Sequence, residues 1–192
     1  LWVAGGSRRH LALICVGAVG LLPVAWSFLK DYQRARLLVF LNPSVDPLGA
    51  GYTIIQSQVA IGSGQLVGRG WLAGTQNQLN FLPERHTDFL YSVIGEEWGF
   101  VGAVTVVVLF GLLLWRVLSI ALQNSEPQGR LLAIALLSWF AYQAVVNMGM
   151  VMGLVPVVGV PLPLLSYGGS AMVTIWLALG LLQSLHRFGT RF

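Results

Sequence analysis

The residues best suited to chemistry lie in one short stretch, FLPERHTDFLYSVIGEEWGF, from Phe81 to Phe100. Four ionisable side chains fall within five residues and two more acids follow: Glu84, Arg85, His86 and Asp88, then Glu96 and Glu97. Only 9% of the 192 residues are charged, so this concentration is unusual. Such a cluster could hold a general base with cations beside it, or it could mark the point where a helix leaves water.

Two interpretations of the cluster depend on Asp88. In the simpler one, Thr87 or Asp88 is the N-cap of a membrane-spanning helix, and the charged residues before it are solvated. In the other, Asp88 begins the helix, which puts Ser92 and Glu96 on the same face at i+4 and i+8. Burial beside apolar neighbours would then raise the pKa of the Asp88 carboxyl toward the range of a general base. The residues alone leave both interpretations open.

Cations near the cluster suit a phosphate group. Arg69 and Arg85 could bind an anion, because a guanidinium forms paired hydrogen bonds with phosphate oxygens. A carboxylate base with such cations beside a membrane is what transfer from a lipid phosphate would need. His86 with nearby acids is a poor match for zinc-ligand spacing, so no metal site is predicted, and whether a divalent cation takes part is left open.

The elements that must position these residues are membrane helices. The chain is 56% hydrophobic with a mean hydropathy of +0.74, unlike a soluble domain. A spanning helix needs roughly 20 apolar residues, and four spans are predicted at about 11–29, 93–116, 130–153 and 170–186. The predicted fold is a single all-α integral membrane domain over residues 1–192, with an external loop at about 30–92 and an external turn at about 154–169.

The positions of the charges orient the spans. Six arginines flank them on one alternating side: Arg8, Arg9, Arg116, Arg130, Arg187 and Arg191. The positive-inside rule makes that side, with both termini, cytoplasmic. Basic ends of this kind attract anionic membrane lipid, so the net charge of +4 does not indicate nucleic-acid binding. Cys15 is the single cysteine and lies inside the first predicted span, where it is expected to pack as a small apolar residue.

The external segments carry further predictions. Asp31–Leu41 is typical of a helix lying on the membrane surface, and Tyr52–Ile61 is weakly helical. The glycine-rich GSGQLVGRGW, residues 62–71, lets backbone approach a ligand or another helix closely. Within SYGG, Ser166 and Tyr167 either form a tight turn between spans, which is the favoured interpretation, or line the cavity of a lipid substrate.

Several separated motifs resemble one family. DPLGAGYTIIQSQVAIGSGQLVGRGW, GTQNQLNFLPERHTDF, IGEEWGFVG and GLVPVVGVPLPLLSYGGSAM resemble the SEDS family (shape, elongation, division and sporulation) in type and order, and ERHTDF is most similar to its RodA-like branch. The resemblance covers nearly the whole chain from Asp31 onward. Members have roughly ten spans, so the chain resembles the C-terminal half of a larger multi-span fold. Asn80 and Trp98 depart from the pattern, where an acid and a small aliphatic residue are expected.

The resemblance implies a peptidoglycan glycosyltransferase of the bacterial inner membrane that polymerises lipid II into glycan strands during cell elongation. Asp88, the acid of HTDF, would be the general base, and Arg69 and Arg85 would stabilise the leaving pyrophosphate. Further residues would contact substrate: Glu84, His86, Thr87, Glu96, Glu97, Ser166 and Tyr167. The family pairs with a class B penicillin-binding protein. Two other hypotheses stay open: a lipid II flippase with acids along its path, and a non-catalytic scaffold for the penicillin-binding protein.

Overall fold

The computed structural model describes residues 8–42, 50–74 and 87–188. Within these ranges the chain forms seven helices joined by turns: α1 Arg8–Phe28, α2 Asp31–Leu41, α3 Ala50–Ser63, α4 Leu90–Glu97, α5 Gly99–Gln123, α6 Pro127–Val151 and α7 Gly169–Phe188. The all-α prediction is confirmed. The helices predicted at Asp31–Leu41 and Tyr52–Ile61 are α2 and the central part of α3.

Three helices are long and apolar enough to cross a membrane, namely α5, α6 and α7. The last two match the predicted spans at 130–153 and 170–186 to within three residues at each end. The predicted span at 11–29 falls on α1, in which the same criteria find only a shorter apolar stretch, Ala12–Leu21. The count of four spans therefore stays a prediction, whereas α5, α6 and α7 form the frame of the molecule.

The helix predicted to start near residue 93 is interrupted at Trp98, so that α4 and α5 are separate helices. Gly99 has φ +65°, a left-handed conformation that favours glycine and ends one helix before the next begins. The N-cap prediction is wrong: α4 begins at Leu90, its cap is Phe89, and within the described residues no side chain forms the capping bond. Thr87 and Asp88 lie instead in the turn before α4.

A glycine-rich loop, residues 64–74, covers this helix break. A Cβ on Gly64 would collide with the Gly95 carbonyl, and one on Gly68, at φ +84°, would collide with the Glu97 carbonyl. Four backbone hydrogen bonds join the loop to both helix ends: Arg69 N–H to Glu96 C=O and Gly70 N–H to Glu97 C=O, each 3.0 Å, and Phe100 N–H to Gln65 C=O and Val101 N–H to Leu66 C=O, 2.8 and 3.1 Å. The loop supplies partners for helix-end groups that need them, and the predicted close approach to a helix is confirmed.

Helix α3 holds the end of α6 on the same side of the bundle. Helix α6 ends in a Schellman motif with Gly153 at φ +76°. From α3, Ser57 Oγ donates to the Val151 carbonyl at 2.8 Å, and Gln58 Nε2 donates to the Met152 carbonyl at 3.1 Å. Helix α3, helix α4 and the last turn of α6 thus form one hydrogen-bonded unit, called the site end below.

Buried apolar residues form two clusters along the bundle. One lies at the site end and contains Phe89 and Tyr91 on either side of the start of α4. The other lies toward the opposite end of the three long helices and contains Val117, Phe140 and Leu182. Phe89 and Tyr91 are each at most 3% exposed. The turn that carries Asp88 is therefore anchored directly in the core.

Candidate functional site

The predicted site residues fall into two groups at opposite ends of α4. The first group lies at the start of α4 and consists of Thr87 and Asp88, with Ser166 bonded to Thr87. The second group lies at the end of α4: Arg69, Glu96 and Glu97. Tyr167, next to Ser166, is exposed. Helix α4 has eight residues, so about 12 Å along its axis separates the groups. Three predicted residues lie outside the described ranges: Glu84, Arg85 and His86.

Asp88 is half-buried in the turn before α4. Its backbone carbonyl accepts a hydrogen bond from Asn147 Nδ2 at 3.0 Å. Its carboxylate lies against the turn that joins α6 to α7 (residues 152–168, the α6–α7 turn), because a Cβ on Gly159 would stand 3.2 Å from Asp88 Oδ2. Gly159 also has φ +74°, so glycine at this position serves both the backbone conformation and the space beside the carboxylate.

Ser166 joins the α6–α7 turn to the residue before Asp88. Its side chain is buried, and its Oγ donates to the Thr87 carbonyl at 2.5 Å while accepting the Leu162 N–H at 2.8 Å. Leu164, which lies between Leu162 and Ser166 in the sequence, has φ +65°, a strained conformation for a residue other than glycine. Tyr167 is 81% exposed. The placement of Ser166 is that of a residue within a tight turn, which was the favoured interpretation of SYGG.

Asn147 of α6 is a site residue that sequence reasoning missed. It is fully buried, and its Nδ2 donates both to the Asp88 carbonyl and, at 2.7 Å, to the Val160 carbonyl. The available signal was an amide inside a largely apolar span, which it shares with Gln143, because a polar group there is costly and usually has a function. The apolar residues around it, which fit plain core packing, hid that signal.

Tyr91 packs beneath this group. Its side chain is buried in the site-end cluster, and its hydroxyl lies 3.4 Å from the Ala103 carbonyl. Burial raises the pKa of the Tyr91 phenol above its ordinary value, so the hydroxyl stays protonated at physiological pH. Tyr91 therefore supports the turn by packing and is not a proton acceptor for chemistry.

The second group places two acids where α4 ends. Glu96 is fully enclosed, Glu97 is nearly so, and Glu96 lies against Gly74, where a Cβ would stand 2.7 Å from Oε2. Arg69 is exposed beside them, with its backbone N–H on the Glu96 carbonyl. Ser92 and Glu96 do share a buried face of α4, as expected from their i, i+4 spacing. Asp88 does not extend that face, because it precedes the helix.

Exposed tryptophans lie at two levels along α5. Trp71 of the glycine-rich loop and Trp98 at the helix break are both exposed, with ring centroids 6.0 Å apart. Trp115, also exposed, follows seventeen residues later in the sequence, which is about 26 Å along α5. Tryptophan is enriched at both interfaces of a hydrocarbon layer about 30 Å thick. The spacing fits one crossing by α5, and on that basis we expect α4 to lie close to one interface.

The part of the chain that the structure describes holds no group of three or more His, Cys, Asp or Glu side chains arranged to bind a metal ion. His86 and Glu84, the residues for which a metal was weighed, are outside it. The participation of a divalent cation therefore stays an open question.

Several known proteins are similar to this chain over most of its length. A family model described as cell cycle protein, for FtsW, RodA and SpoVE, matches residues 1–191. The peptidoglycan glycosyltransferase MrdB of Escherichia coli K12 is 49% identical over 187 residues, 97% of this chain and 50% of that protein. The peptidoglycan glycosyltransferase RodA of Treponema pallidum is 51% identical over 158 residues, 82% of this chain and 36% of that protein. The chain spans about half the length, or less, of the curated relatives it matches.

Solved structures of similar chains share the arrangement of helices. A chain from a structure described as structural coordination of polymerization and crosslinking by a peptidoglycan synthase complex is 38% identical, with a TM-score of 0.78 over 96% of this chain and 51% of that one. The rod shape determining protein RodA of Thermus thermophilus is 31% identical, with a TM-score of 0.53 over 85% of this chain and 59% of that one. The fold is therefore that of a multi-span membrane protein of this kind.

Proposed function

The chain belongs to the FtsW/RodA/SpoVE family, the SEDS family of its sequence motifs, and from that premise we propose that it acts as a peptidoglycan glycosyltransferase. The substrate is lipid II, the undecaprenyl-pyrophosphate-linked disaccharide peptide, and the product is a glycan strand made during cell elongation. Asp88 is the general base of the reaction.

In the proposed reaction, Asp88 accepts the proton of the GlcNAc 4-hydroxyl on one lipid-linked disaccharide. That oxygen forms a bond to the anomeric carbon of MurNAc on the other. The bond from this carbon to the pyrophosphate oxygen breaks, its electron pair leaves with undecaprenyl pyrophosphate, and the configuration inverts. General base catalysis of this kind contributes about 10²–10⁴-fold to a rate.

The observation that carries the proposal is the way Asp88 is held. The turn that bears it is hydrogen-bonded on both sides of Asp88, by Ser166 and Asn147, and the N-cap of α4 is Phe89 and not Asp88. From the spacing of the exposed tryptophans along α5, we also expect the turn to lie close to the membrane interface, where the head group of a lipid-linked sugar lies. A carboxylate fixed on a rigid support at that level suits a base that must meet one hydroxyl in one geometry.

Two arginines are proposed to stabilise the leaving pyrophosphate, and they differ in place. Arg85 precedes Asp88 by three residues in the sequence. Arg69 belongs to the second group, at the far end of α4, and its Nε also donates to the Ser63 carbonyl at 3.4 Å. Cationic donors at a departing phosphate stabilise the charge that develops there.

An apolar groove supports the choice of a lipid-linked substrate. It has a volume of about 320 Å³ and is lined by Val106, Leu109, Phe110, Leu113, Leu164 and Leu165. Leu164 and Leu165 belong to the same turn as Ser166, so the groove begins beside the first group. A groove with this lining suits a polyprenyl chain and has little to offer a soluble polar substrate.

The proposed partner is a class B penicillin-binding protein that crosslinks the new strand. One similar solved chain comes from a peptidoglycan synthase complex that coordinates polymerization and crosslinking. The proposed location is the bacterial inner membrane, with both ends of this chain on the cytoplasmic side. Anionic membrane lipid at those basic ends follows from the same orientation.

The proposal is tested by polymerisation of purified lipid II with the complete protein and its crosslinking partner. Asp88→Asn keeps the size of the side chain and removes the base, so glycan synthesis should be lost while expression and partner binding persist. Asp31→Asn is the matched control, because it makes the same chemical change at an exposed residue in the first turn of α2. Full activity in Asp88→Asn would contradict the assignment of Asp88 as the general base.

The same preparation separates the other hypotheses. Movement of labelled lipid II between leaflets without polymer would identify a flippase, whose path would contain Asp88, Glu96 and Glu97. If substitutions that neutralise the charges of the cluster have no effect on the growth or shape of cells, the protein is a scaffold. The two groups of acids stand at opposite ends of α4, and Glu96 and Glu97 are enclosed, so no contact among the described residues favours a continuous path.

A further inference from the structure

We propose that Asn147 and Ser166 are positioning residues that set the direction of the Asp88 side chain. The inference rests on the proposed function, since it assigns their effect to the base of that reaction. It adds two residues from α6 and the α6–α7 turn to a site whose chemical groups come from the loop before α4. Neither residue needs to contact substrate for this role.

The two hydrogen bonds hold the two peptide units that flank one Cα. Ser166 Oγ binds the Thr87 carbonyl, which belongs to the peptide unit before Asp88, and Asn147 Nδ2 binds the Asp88 carbonyl, which belongs to the unit after it. The backbone of a residue has only two soft rotations, φ and ψ, and each turns one of those planar units about the Cα. Fixing both planes fixes φ and ψ, and so the direction of the Cα–Cβ bond of Asp88.

The amide of Asn147 is oriented by its neighbours. Its Nδ2 faces two carbonyl oxygens, those of Asp88 and Val160, so the flipped orientation would set its own oxygen against both. In this orientation Asn147 Oδ1 is buried and has no hydrogen-bond partner among the described residues. A buried acceptor without a partner is unfavourable. Leucine has the same branching as asparagine without the polar atoms, but it would leave the Asp88 and Val160 carbonyls without this donor. The contribution of the amide to the site is therefore its two donated hydrogen bonds.

The hydroxyl of Ser166 makes its bonds in both directions. It donates to Thr87 and accepts from the Leu162 N–H, and the Ser166 N–H donates in turn to the Leu162 carbonyl at 3.0 Å. The strained Leu164 lies inside this closed loop. Strain of that kind persists only where the surrounding structure enforces it, and it clusters at functional sites.

Both positioning residues connect the Asp88 segment to the α6–α7 turn. Asn147 ties Asp88 to Val160, and Ser166 ties Thr87 to Leu162, and both of these partners belong to the α6–α7 turn. Helix α4 hydrogen-bonds to the Phe89 carbonyl, which is one peptide unit beyond the two that flank Asp88. The position of the base therefore depends on α6 and the α6–α7 turn more than on the helix that follows it in sequence.

A purely structural role and a positioning role predict different measurements. If the two residues only stabilise the fold, activity falls in proportion to stability. If they position Asp88, the turnover number falls by more than in a control variant that loses as much stability, and the apparent affinity for lipid II changes little. A misplacement of about 1 Å can reduce a rate by about 10²-fold.

The test compares Asn147→Leu and Ser166→Ala with Ser57→Ala in the complete protein with its partner. Ser57 is the matched control, since it is also a fully buried serine at the site end whose Oγ donates to a backbone carbonyl, at 2.8 Å, but that carbonyl is Val151 and not part of the Asp88 turn. We expect kcat for lipid II polymerisation to fall about 10–100-fold in both positioning variants, with KM within about threefold of wild type. Ser57→Ala should lower the melting temperature at least as much and leave kcat within about threefold.

Two results would overturn the inference: kcat within about threefold of wild type in Ser166→Ala, or a loss of kcat in Ser57→Ala as large as in the positioning variants. Ser166→Ala decides the matter if Asn147→Leu does not fold, because it removes a single oxygen atom. These failures are distinct from failure of the proposed function, which would appear as full activity in Asp88→Asn. If Asp88→Asn is inactive while the positioning variants remain active, the positioning role is wrong and the proposed function still holds.

Discussion

Asp88 illustrates what a single residue's sequence neighbourhood can and cannot predict. Its type, its cationic neighbours and its place before an apolar run predicted either a helix cap or a base, and the residues alone did not separate the two. The structure removes the cap, since α4 begins two residues later with Phe89 as its N-cap. The residues that hold Asp88 were not predictable, because Asn147 and Ser166 are 59 and 78 positions away in the sequence and meet it only in the folded chain.

Gly159→Ala should impair the site with only moderate loss of stability. The substitution forces alanine into φ +74° and puts a methyl group 3.2 Å from Asp88 Oδ2, so the carboxylate must shift. We expect a polymerisation rate reduced by about tenfold and a free energy of unfolding reduced by about 1–2 kcal/mol. Gly180→Ala in α7 is the control, because a Cβ there meets nothing within 4 Å. Equal rates for the two variants would contradict a close approach of Gly159 to the base.

At the scale of elements, the sequence predicted most helices but not the break that shapes the site. Residues 98–115 form a run without charged residues, and the predicted span extended this run back across Glu96 and Glu97 to residue 93. A glycine such as Gly99 inside an apolar helical pattern is commonly tolerated, so it did not indicate a break. The break depends on a distant segment that the local pattern does not include. The glycine-rich loop forms hydrogen bonds with the end of α4 and the start of α5, on either side of the break at Gly99. Sequence reasoning assigned those glycines to close approach but could not tell which helix they approach.

Gly99→Ala should destabilise the protein far more than an alanine elsewhere in the same helix. Its φ of +65° disfavours alanine, and the added Cβ would collide with the Gly68 backbone nitrogen. We expect a loss of at least about 2 kcal/mol in the free energy of unfolding, measured by thermal unfolding in detergent. Gly111→Ala, also in α5, meets open space and should be neutral or slightly stabilising. Similar melting temperatures would argue that α4 and α5 are not separate helices.

For the whole molecule, composition alone was sufficient to predict an all-α membrane protein, because hydrocarbon admits few other structures for so apolar a chain. The count of spans was harder, since α1 contains only a short apolar stretch while α5, α6 and α7 are long enough to cross. The orientation was argued from arginines, and it places the site end outside the cell, on the side where lipid-linked sugars are polymerised. That orientation remains a prediction.

Labelling of single cysteines in whole cells tests the orientation. In a Cys15→Ser background, Gln65→Cys in the glycine-rich loop should react with a membrane-impermeant maleimide added outside. Glu126→Cys, between α5 and α6, should react only after the membrane is opened, and Val108→Cys, exposed in the middle of α5, should stay unlabelled in both conditions. The reverse labelling pattern for Gln65→Cys and Glu126→Cys would contradict the predicted orientation and put Asp88 on the cytoplasmic side.

The most direct measurement of the central claim is the initial rate of glycan synthesis at saturating lipid II, for wild type and Asp88→Asn in the complete protein with its crosslinking partner. If Asp88 is the general base, the rate falls by at least about 10²-fold, the lower range for general base catalysis, while Asp31→Asn keeps the wild-type rate. A rate for Asp88→Asn within about threefold of wild type would contradict the account, because a carboxamide cannot accept the proton of the attacking hydroxyl.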